Sequence, residues 1–255
     1  MGDTLLMLSQ GTLLTADKVK IAYNHYCAAH DTVVIINHGF WNSKDASEIK
    51  TLAGCLADDY DIFTFDMRGH GKSTGLFSWT SREENDLKAV LDFLKGKYKK
   101  IGAVAFSLGA SVSINAYADY PGIDALVCIS PVADCRKVDY RFWELDVKTD
   151  FYYTLISKAG RTAKGVRPGA FWLKKKVPLE SVKRLKIPVL YIHGGKDWVV
   201  KPWHSQKLYD NTPGEKERVL IKGGAHAEYL TRDNTVQVVK LIKGWFKKYL
   251  EKGAA

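Results

Sequence analysis

The stretch IGAVAFSLGAS, Ile101–Ser111, decides how the chain is read. Ile101–Phe106 is a short apolar run of the kind that forms a buried strand, and a helical pattern begins at Ser107. Small residues stand two positions either side of the serine, Ala105 before it and Gly109 after it. They make a G-x-S-x-G variant, with alanine in the place of the first glycine. Small side chains let strand and helix approach closely around a sharp turn, which raises the serine at the helix N-terminus. Backbone N–H groups and the helix dipole there favour a developing anion. Taken alone, the stretch fits either a nucleophile or a structural turn.

Strand-like segments recur on both sides of it. Val19–Cys27, Thr32–Asn37, Asp61–Asp66, Ala125–Ser130, Ile187–Gly194 and Arg218–Gly223 are mostly continuous runs rich in Val and Ile. Such runs suit a parallel sheet buried on both faces. Helical patterns sit between them. Leu87, Leu91 and Leu94 recur at helical spacing, with Ser81 and Glu84 as a candidate capping box. Arg232–Leu250 reads as one helix presenting Val236, Val239, Leu241, Ile242, Trp245 and Phe246 on a broad face. This alternation predicts an α/β doubly wound, mostly parallel sheet of about eight strands, with ligands at the carboxyl ends of the strands. Between Ser130 and Ile187 the rhythm breaks for some fifty residues. A structureless loop of that length is uncommon in a compact domain, so a small helical cap over 131–186 is expected, on a core of 1–130 and 187–255.

Composition narrows the class further. The chain has 255 residues, 46% of them hydrophobic and 26% charged, enough apolar content for a sizeable core. No apolar run reaches the roughly 18–20 residues of a membrane helix, and MGDTLLMLSQ has neither the basic start of a secretory signal nor a myristoylation motif. Cys27, Cys55, Cys128 and Cys135 form no C-x-x-C pair, and they read as buried free thiols in a reducing compartment. A cytoplasmic location is therefore expected. The net charge of +10 comes with interleaved acidic residues and no nucleic-acid motif, so solvated lysine faces are expected. His25 and His30 show no constellation in the sequence, and no metal or other cofactor is expected.

A serine hydroxyl needs a base, and the base needs an orienting acid. IHGGKDWVV puts Asp197 just after a strand, and KGGAHAEYL puts His226 just after the last one. That chain order of Ser, acid and His turns the Ile101–Ser111 reading toward a nucleophile. For the oxyanion, INHGFWN offers a tight His38-Gly39 turn that aims the Phe40 N–H inward, and the Leu108 N–H follows the serine. Asp66, Arg68, His70 and His193 read as structural.

HGF, FDMRGHGKS (Phe65–Ser73), AFSLGAS, HGGKD and GGAH together resemble the α/β-hydrolase superfamily, in its order and over nearly the whole chain. The resemblance implies an α/β-hydrolase fold with Ser107 as nucleophile, Asp197 as acid, His226 as base, and Phe40 and Leu108 as oxyanion amides. The compact cap and HGF motif look most like the monoacylglycerol-lipase-like and cinnamoyl-esterase-like branch. The absence of an HGGG loop points away from the hormone-sensitive-lipase branch, and a serine nucleophile away from haloalkane dehalogenases and epoxide hydrolases. The activity implied is that of a carboxylesterase acting on a small-molecule ester with an apolar acyl or aryl group. Phe40, Leu108, Trp198, Phe142 and Trp143 are candidate substrate contacts. Neither nucleic acid nor stable membrane anchoring is expected, and a homodimer is compatible with the sequence. A thioesterase, an acyltransferase and a non-catalytic binder on the same fold are the competing readings.

Overall fold

The computed structural model describes residues 7–135, 165–169 and 172–251. The strands are β1 (Met7–Leu14), β2 (Lys20–Cys27), β3 (Thr32–Asn37), β4 (Asp61–Phe65), β5 (Lys100–Phe106), β6 (Ala125–Ile129), β7 (Val189–Gly194) and β8 (Lys216–Ile221). They form an eight-stranded sheet in the order β1-β2-β4-β3-β5-β6-β7-β8. The β1–β2 and β2–β4 pairs are antiparallel and every later pair is parallel. This is the α/β-hydrolase fold.

Every residue of β4, β6 and β7 is buried, as is all of β3 and β5 beyond their first residues. These apolar runs need cover on both faces, and helices supply it. On one face Ile35, Phe63, Phe65 and Ala103 pack against Leu87, Val90 and Leu94 of α2 (Glu84–Leu94) and Val112 and Ala116 of α3 (Ser107–Asp119). On the other, Val34, Ile36, Val104 and Phe106 pack against Ile49 and Leu52 of α1 (Ser47–Leu56) and Ile242, Trp245 and Phe246 near the C-terminus.

Several expectations are corrected. Strand β1 has no counterpart in the sequence reading; MLSQGTLL is mostly exposed and owes its strand form to pairing with β2. Ser81 and Glu84 make no capping box. Helix α2 has no side-chain cap, the Ser81 hydroxyl has no partner among the described residues, and Glu83 instead accepts from the Ser78 N–H and hydroxyl. The C-terminal helix is broken at Asn234 into Ala227–Asp233 and Thr235–Phe246. Val236 then points to solvent at 85% exposure, and Val238 takes its place in the core. His25 is not isolated either: strand pairing brings it together with Cys27 and Asp61, a residue from a strand far along the chain.

Of the expected cap, Pro178–Ser181 forms a short helix and Val182–Arg184 a 3-10 turn, and Val182 and Leu185 join the main core. Two isolated bridges, His70 with Val166 and Phe77 with Pro168, tie its other described part to the loop after β4. Residues 136–164 and 170–171, with Phe142 and Trp143 among them, lie outside the described residues.

Candidate active site

Strand β5 delivers Ser107 to the carboxyl edge of the sheet. Phe106 is still extended, at φ −110° and ψ 134°, and Ser107 turns abruptly to φ +47°. A non-glycine residue in that left-handed region carries strain of roughly 1–3 kcal/mol, which the surrounding packing must hold. Ala105, fully buried, leaves room before the corner. After it, space is tighter still. A Cβ on Gly109 would lie 2.2 Å from the His38 carbonyl oxygen and 2.9 Å from that of Asn37, so only glycine lets α3 press against the end of β3. Gly109→Ala should therefore destabilise the protein by about 3 kcal/mol, which thermal unfolding would read as a drop of roughly 6–12 °C in Tm.

Strand β7 and the loop after β8 deliver the other two groups. Gly194 ends β7 against the backbone of Gly224 and Ala225, where an added Cβ would come within 2.3 Å of both carbonyl oxygens. The Lys196 N–H donates to the Gly224 carbonyl at 2.9 Å, so the loops bearing Asp197 and His226 are bound to each other. His226 Nδ1 is 2.7 Å from Asp197 Oδ2, and its Nε2 is 2.9 Å from Ser107 Oγ. Asp197 Oδ1 accepts from the N–H groups of Val199 (3.0 Å) and Val200 (2.8 Å). Asp197 is 1% exposed. Burial acts to raise its carboxyl, but the charge of His226 and hydrogen bonds from His193 and His226 outweigh burial and hold it well below the usual carboxylate range. An ionised Asp197 must accept a proton from Nδ1, which leaves Nε2 to accept from the Ser107 hydroxyl. The arrangement can take a proton from Ser107 and hold the resulting imidazolium.

The turn after β3 faces the same serine. A Cβ on Gly39 would stand 3.3 Å from Ser107 Cβ. The Gly39 N–H donates to Glu228 Oε1 at 2.7 Å, and the Gly39 carbonyl lies 2.7 Å from His38 Nδ1. His38 Nε2 accepts from the Met67 N–H at 3.1 Å, so Nδ1 carries the ring proton and donates it to that carbonyl. Burial keeps this ring neutral, pushing its pKa down to about 4. Because a peptide unit is planar and trans, anchoring the Gly39 carbonyl aims the Phe40 N–H the opposite way. Phe40 then opens an aromatic cluster, with ring centroids 4.9 Å from Trp79 and 5.5 Å from Phe77.

Two family models match the sequence, one described as the alpha/beta hydrolase fold over residues 32–152, the other as serine aminopeptidase S33 over residues 176–231. The chain belongs to the α/β-hydrolase superfamily. Similar proteins include the uncharacterised Bacillus subtilis protein YqkD, 26% identical over 241 residues that cover 86% of this chain and 75% of YqkD. The Caenorhabditis elegans alpha/beta hydrolase domain-containing protein aho-3 is 27% identical over 68% of this chain, which spans 47% of aho-3. Among solved structures, the Pyrococcus furiosus esterase Pf2001 superposes with a TM-score of 0.77 at 23% identity, covering 97% of this chain and 92% of that one. That likeness is one of fold.

Of the residues singled out in the sequence, Ser107, Asp197 and His226 come into direct contact, and Phe40 and Leu108 lie beside them in the chain turns that meet at Ser107. Trp198 follows Asp197 and is half-buried, its indole N–H without a partner among the described residues. Asp66 stands apart from the three, accepting from the N–H groups of Lys44 and Lys72, and Arg68 pairs with Asp86 and Asp17. Sequence reasoning gave His193 only a structural reading and His38 only a place in the turn before Phe40, and it did not single out Glu228. His193 Nε2 lies 2.8 Å from the Val200 carbonyl and 3.2 Å from the Asp197 oxygen that His226 also uses. His38 and Glu228 hold the two ends of Gly39. Glu228 is buried, which raises its carboxyl above the usual value against the pull of the Gly39 amide and the charge of His226. The spacing of Glu228 from His226 was the available signal, two residues on and otherwise without a role.

Proposed function

We propose that this protein is a serine hydrolase of carboxylic esters, acting on substrates with an apolar acyl or aryl group. The observation that carries the proposal is the hydrogen-bonded line Asp197–His226–Ser107, ending on a serine held at φ +47°. His226 takes the Ser107 proton as Ser107 Oγ attacks the ester carbonyl. The Phe40 and Leu108 N–H groups receive the oxyanion. His226 then protonates the leaving alcohol, and water repeats the sequence on the acyl-enzyme. Asp197 keeps its charge throughout and stabilises the imidazolium. The aromatic cluster of Phe40, Phe77 and Trp79 begins at the oxyanion residue itself, and supports an apolar group next to the scissile bond. The compact cap, Phe142 and Trp143 belong to this proposal, as does the likeness to the monoacylglycerol-lipase-like and cinnamoyl-esterase-like branch.

No helix among the described residues is long and apolar enough to cross a membrane. All four cysteines are free, and a reducing, cytoplasmic setting with a small-molecule partner is part of the proposal.

Hydrolysis of p-nitrophenyl esters from acetyl to palmitoyl tests the reading. A short-chain optimum indicates a closed acyl pocket and a long-chain optimum an open groove; no turnover of any ester overturns the proposal. The serine aminopeptidase match over residues 176–231 supports a second reading, peptide-bond cleavage by the same triad. Aminoacyl p-nitroanilides belong in the same panel, and turnover of them in preference to esters would favour that reading.

The role of Glu228 gives a finer test. Glu228→Gln keeps an oxygen for the Gly39 N–H and should turn over within about threefold of the wild type. Glu228→Ala frees the turn and should lower kcat by about 10–100-fold with little change in KM, because a misaimed oxyanion donor acts mainly on the transition state. Equal effects in both variants would argue against positioning.

A further inference from the structure

We propose that His25, Cys27 and Asp61 form a binding site for a single divalent transition-metal ion of the zinc class, remote from Ser107. Ser107 follows the carboxyl end of β5, whereas Asp61 opens β4 at the other end of the parallel strands, and Cys27 closes β2 beside it.

The pairing of β2 with β4 builds the cluster. His25 is opposite Phe63 and Tyr26 opposite Ile62, so Cys27 meets Asp61 at the next step. Residues two apart in a strand share a face, which puts imidazole and thiol side by side. Cys27 Sγ is 3.2 Å from His25 Nε2 and 3.4 Å from Nδ1, and one ligand atom from each of the three residues lies within 4.8 Å of the others. In a tetrahedral site with metal–sulfur bonds of about 2.3 Å and metal–nitrogen or metal–oxygen bonds of about 2.0–2.2 Å, neighbouring ligand atoms stand roughly 3.3–3.6 Å apart. Cys27 Sγ and His25 Nε2, 3.2 Å apart, stand just inside that spacing, and the carboxylate closes the third edge by a shift of about 1 Å.

Charge favours the same ion. Asp61 is 2% exposed, yet no Lys or Arg pairs with it among the described residues. Its oxygens accept from the N–H groups of Ala28 (2.8 Å) and His30 (3.2 Å) and from the Tyr98 hydroxyl (2.8 Å). A buried carboxylate without a cation is costly. On binding, a divalent ion displaces the Cys27 proton to solvent. Thiolate and carboxylate then supply two negative charges, the metal two positive ones and His25 none, so the site becomes neutral. The Tyr98 hydroxyl, 2.6 Å from His25 Nε2, gives up that contact to the metal and stays beside the Asp61 carboxylate. Cys27 is partly exposed, which leaves a route in from solvent. A mixed S/N/O set of this kind suits zinc or cobalt rather than magnesium or calcium.

The test uses the full chain, stripped with a chelator and titrated with cobalt(II), then with zinc in competition. The expected result is one equivalent of cobalt per chain, with a thiolate-to-cobalt charge-transfer band and the visible bands of a tetrahedral ion. Zinc should displace both. The charge-transfer band should vanish in Cys27→Ser, and affinity should fall at least about tenfold in His25→Gln, with ester turnover unchanged in both. No band in the wild type, or the same band in Cys27→Ser, overturns the site. Alkylation of the wild-type thiols, followed by mass spectrometry, decides the matter without any variant. Zinc should protect Cys27 and leave Cys55 reactive; unprotected Cys27 overturns the proposal.

Discussion

Ser107→Ala is expected to lower ester turnover by about 10^4–10^6-fold while leaving the fold intact. Ser107 is the end of the hydrogen-bonded line from Asp197 through His226, and the neighbouring serine hydroxyls are engaged elsewhere. Ser111 bonds to the carbonyls of Val132 and Ser107, and Ser130 receives the Ala227 N–H. On the proposed mechanism, the residual rate of the variant should come from the Phe40 and Leu108 amides, which would still hold the substrate carbonyl. Alanine inherits the same φ of +47° without new contacts, so Tm should stay near that of the wild type. Turnover and Tm measured on one preparation separate a lost nucleophile from a lost fold. Wild-type turnover in the variant would sink the assignment, and so would fluorophosphonate labelling that survives in it.

Asp197→Asn should be nearly as damaging, at about 10^4-fold in kcat, because it acts on the tautomer of His226. Both carboxylate oxygens of Asp197 are acceptors. Oδ1 receives two backbone N–H groups, and Oδ2 meets His226 at 2.7 Å and His193 at 3.2 Å. An asparagine amide fits in neither orientation. With its NH2 toward the histidines, it donates where His226 must donate, and the imidazole turns its proton toward Ser107. With its NH2 toward Val199 and Val200, two backbone donors lose their acceptor. Either choice leaves buried polar groups unpaired, so a stability loss of about 1–3 kcal/mol should accompany the kinetic one, a fall of roughly 2–12 °C in Tm. A kcat within tenfold of the wild type would remove Asp197 from the acid role and turn attention to Glu228, the other buried carboxylate near His226.

The sheet was legible in the sequence because β3 to β7 are buried on both faces and so read as unbroken apolar runs. Strand β1 was not, because an edge strand held by one neighbour needs no apolar pattern of its own. The same contrast runs through the site. Ser107, Asp197 and His226 each follow a strand, and that placement can be read from local pattern. His38, His193 and Glu228 act through backbone and side-chain contacts that only the folded chain creates, Glu228 meeting Gly39 across 189 residues. The His25–Cys27–Asp61 cluster was hidden for the same reason. Its third member arrives through register, which no spacing in the sequence announces. The break at Asn234 had a faint signal, a polar residue in an otherwise helical run, outweighed by the apolar periodicity around it.

The separation of Ser107 from His226, 119 residues along the chain, has a consequence for synthesis. At about 5–20 residues per second, the serine leaves the ribosome on the order of ten seconds before its base. Strands β1 to β6 can pair in that interval, and Ser107 can already sit on its corner. Without β8 and the turn after it, nothing abstracts its proton. On the proposed mechanism, the nascent chain would be silent towards esters until its last strand is in place. On that mechanism, turnover would report that the carboxyl-terminal part has docked, and a chain cut before His226 is expected to carry the serine without the reaction.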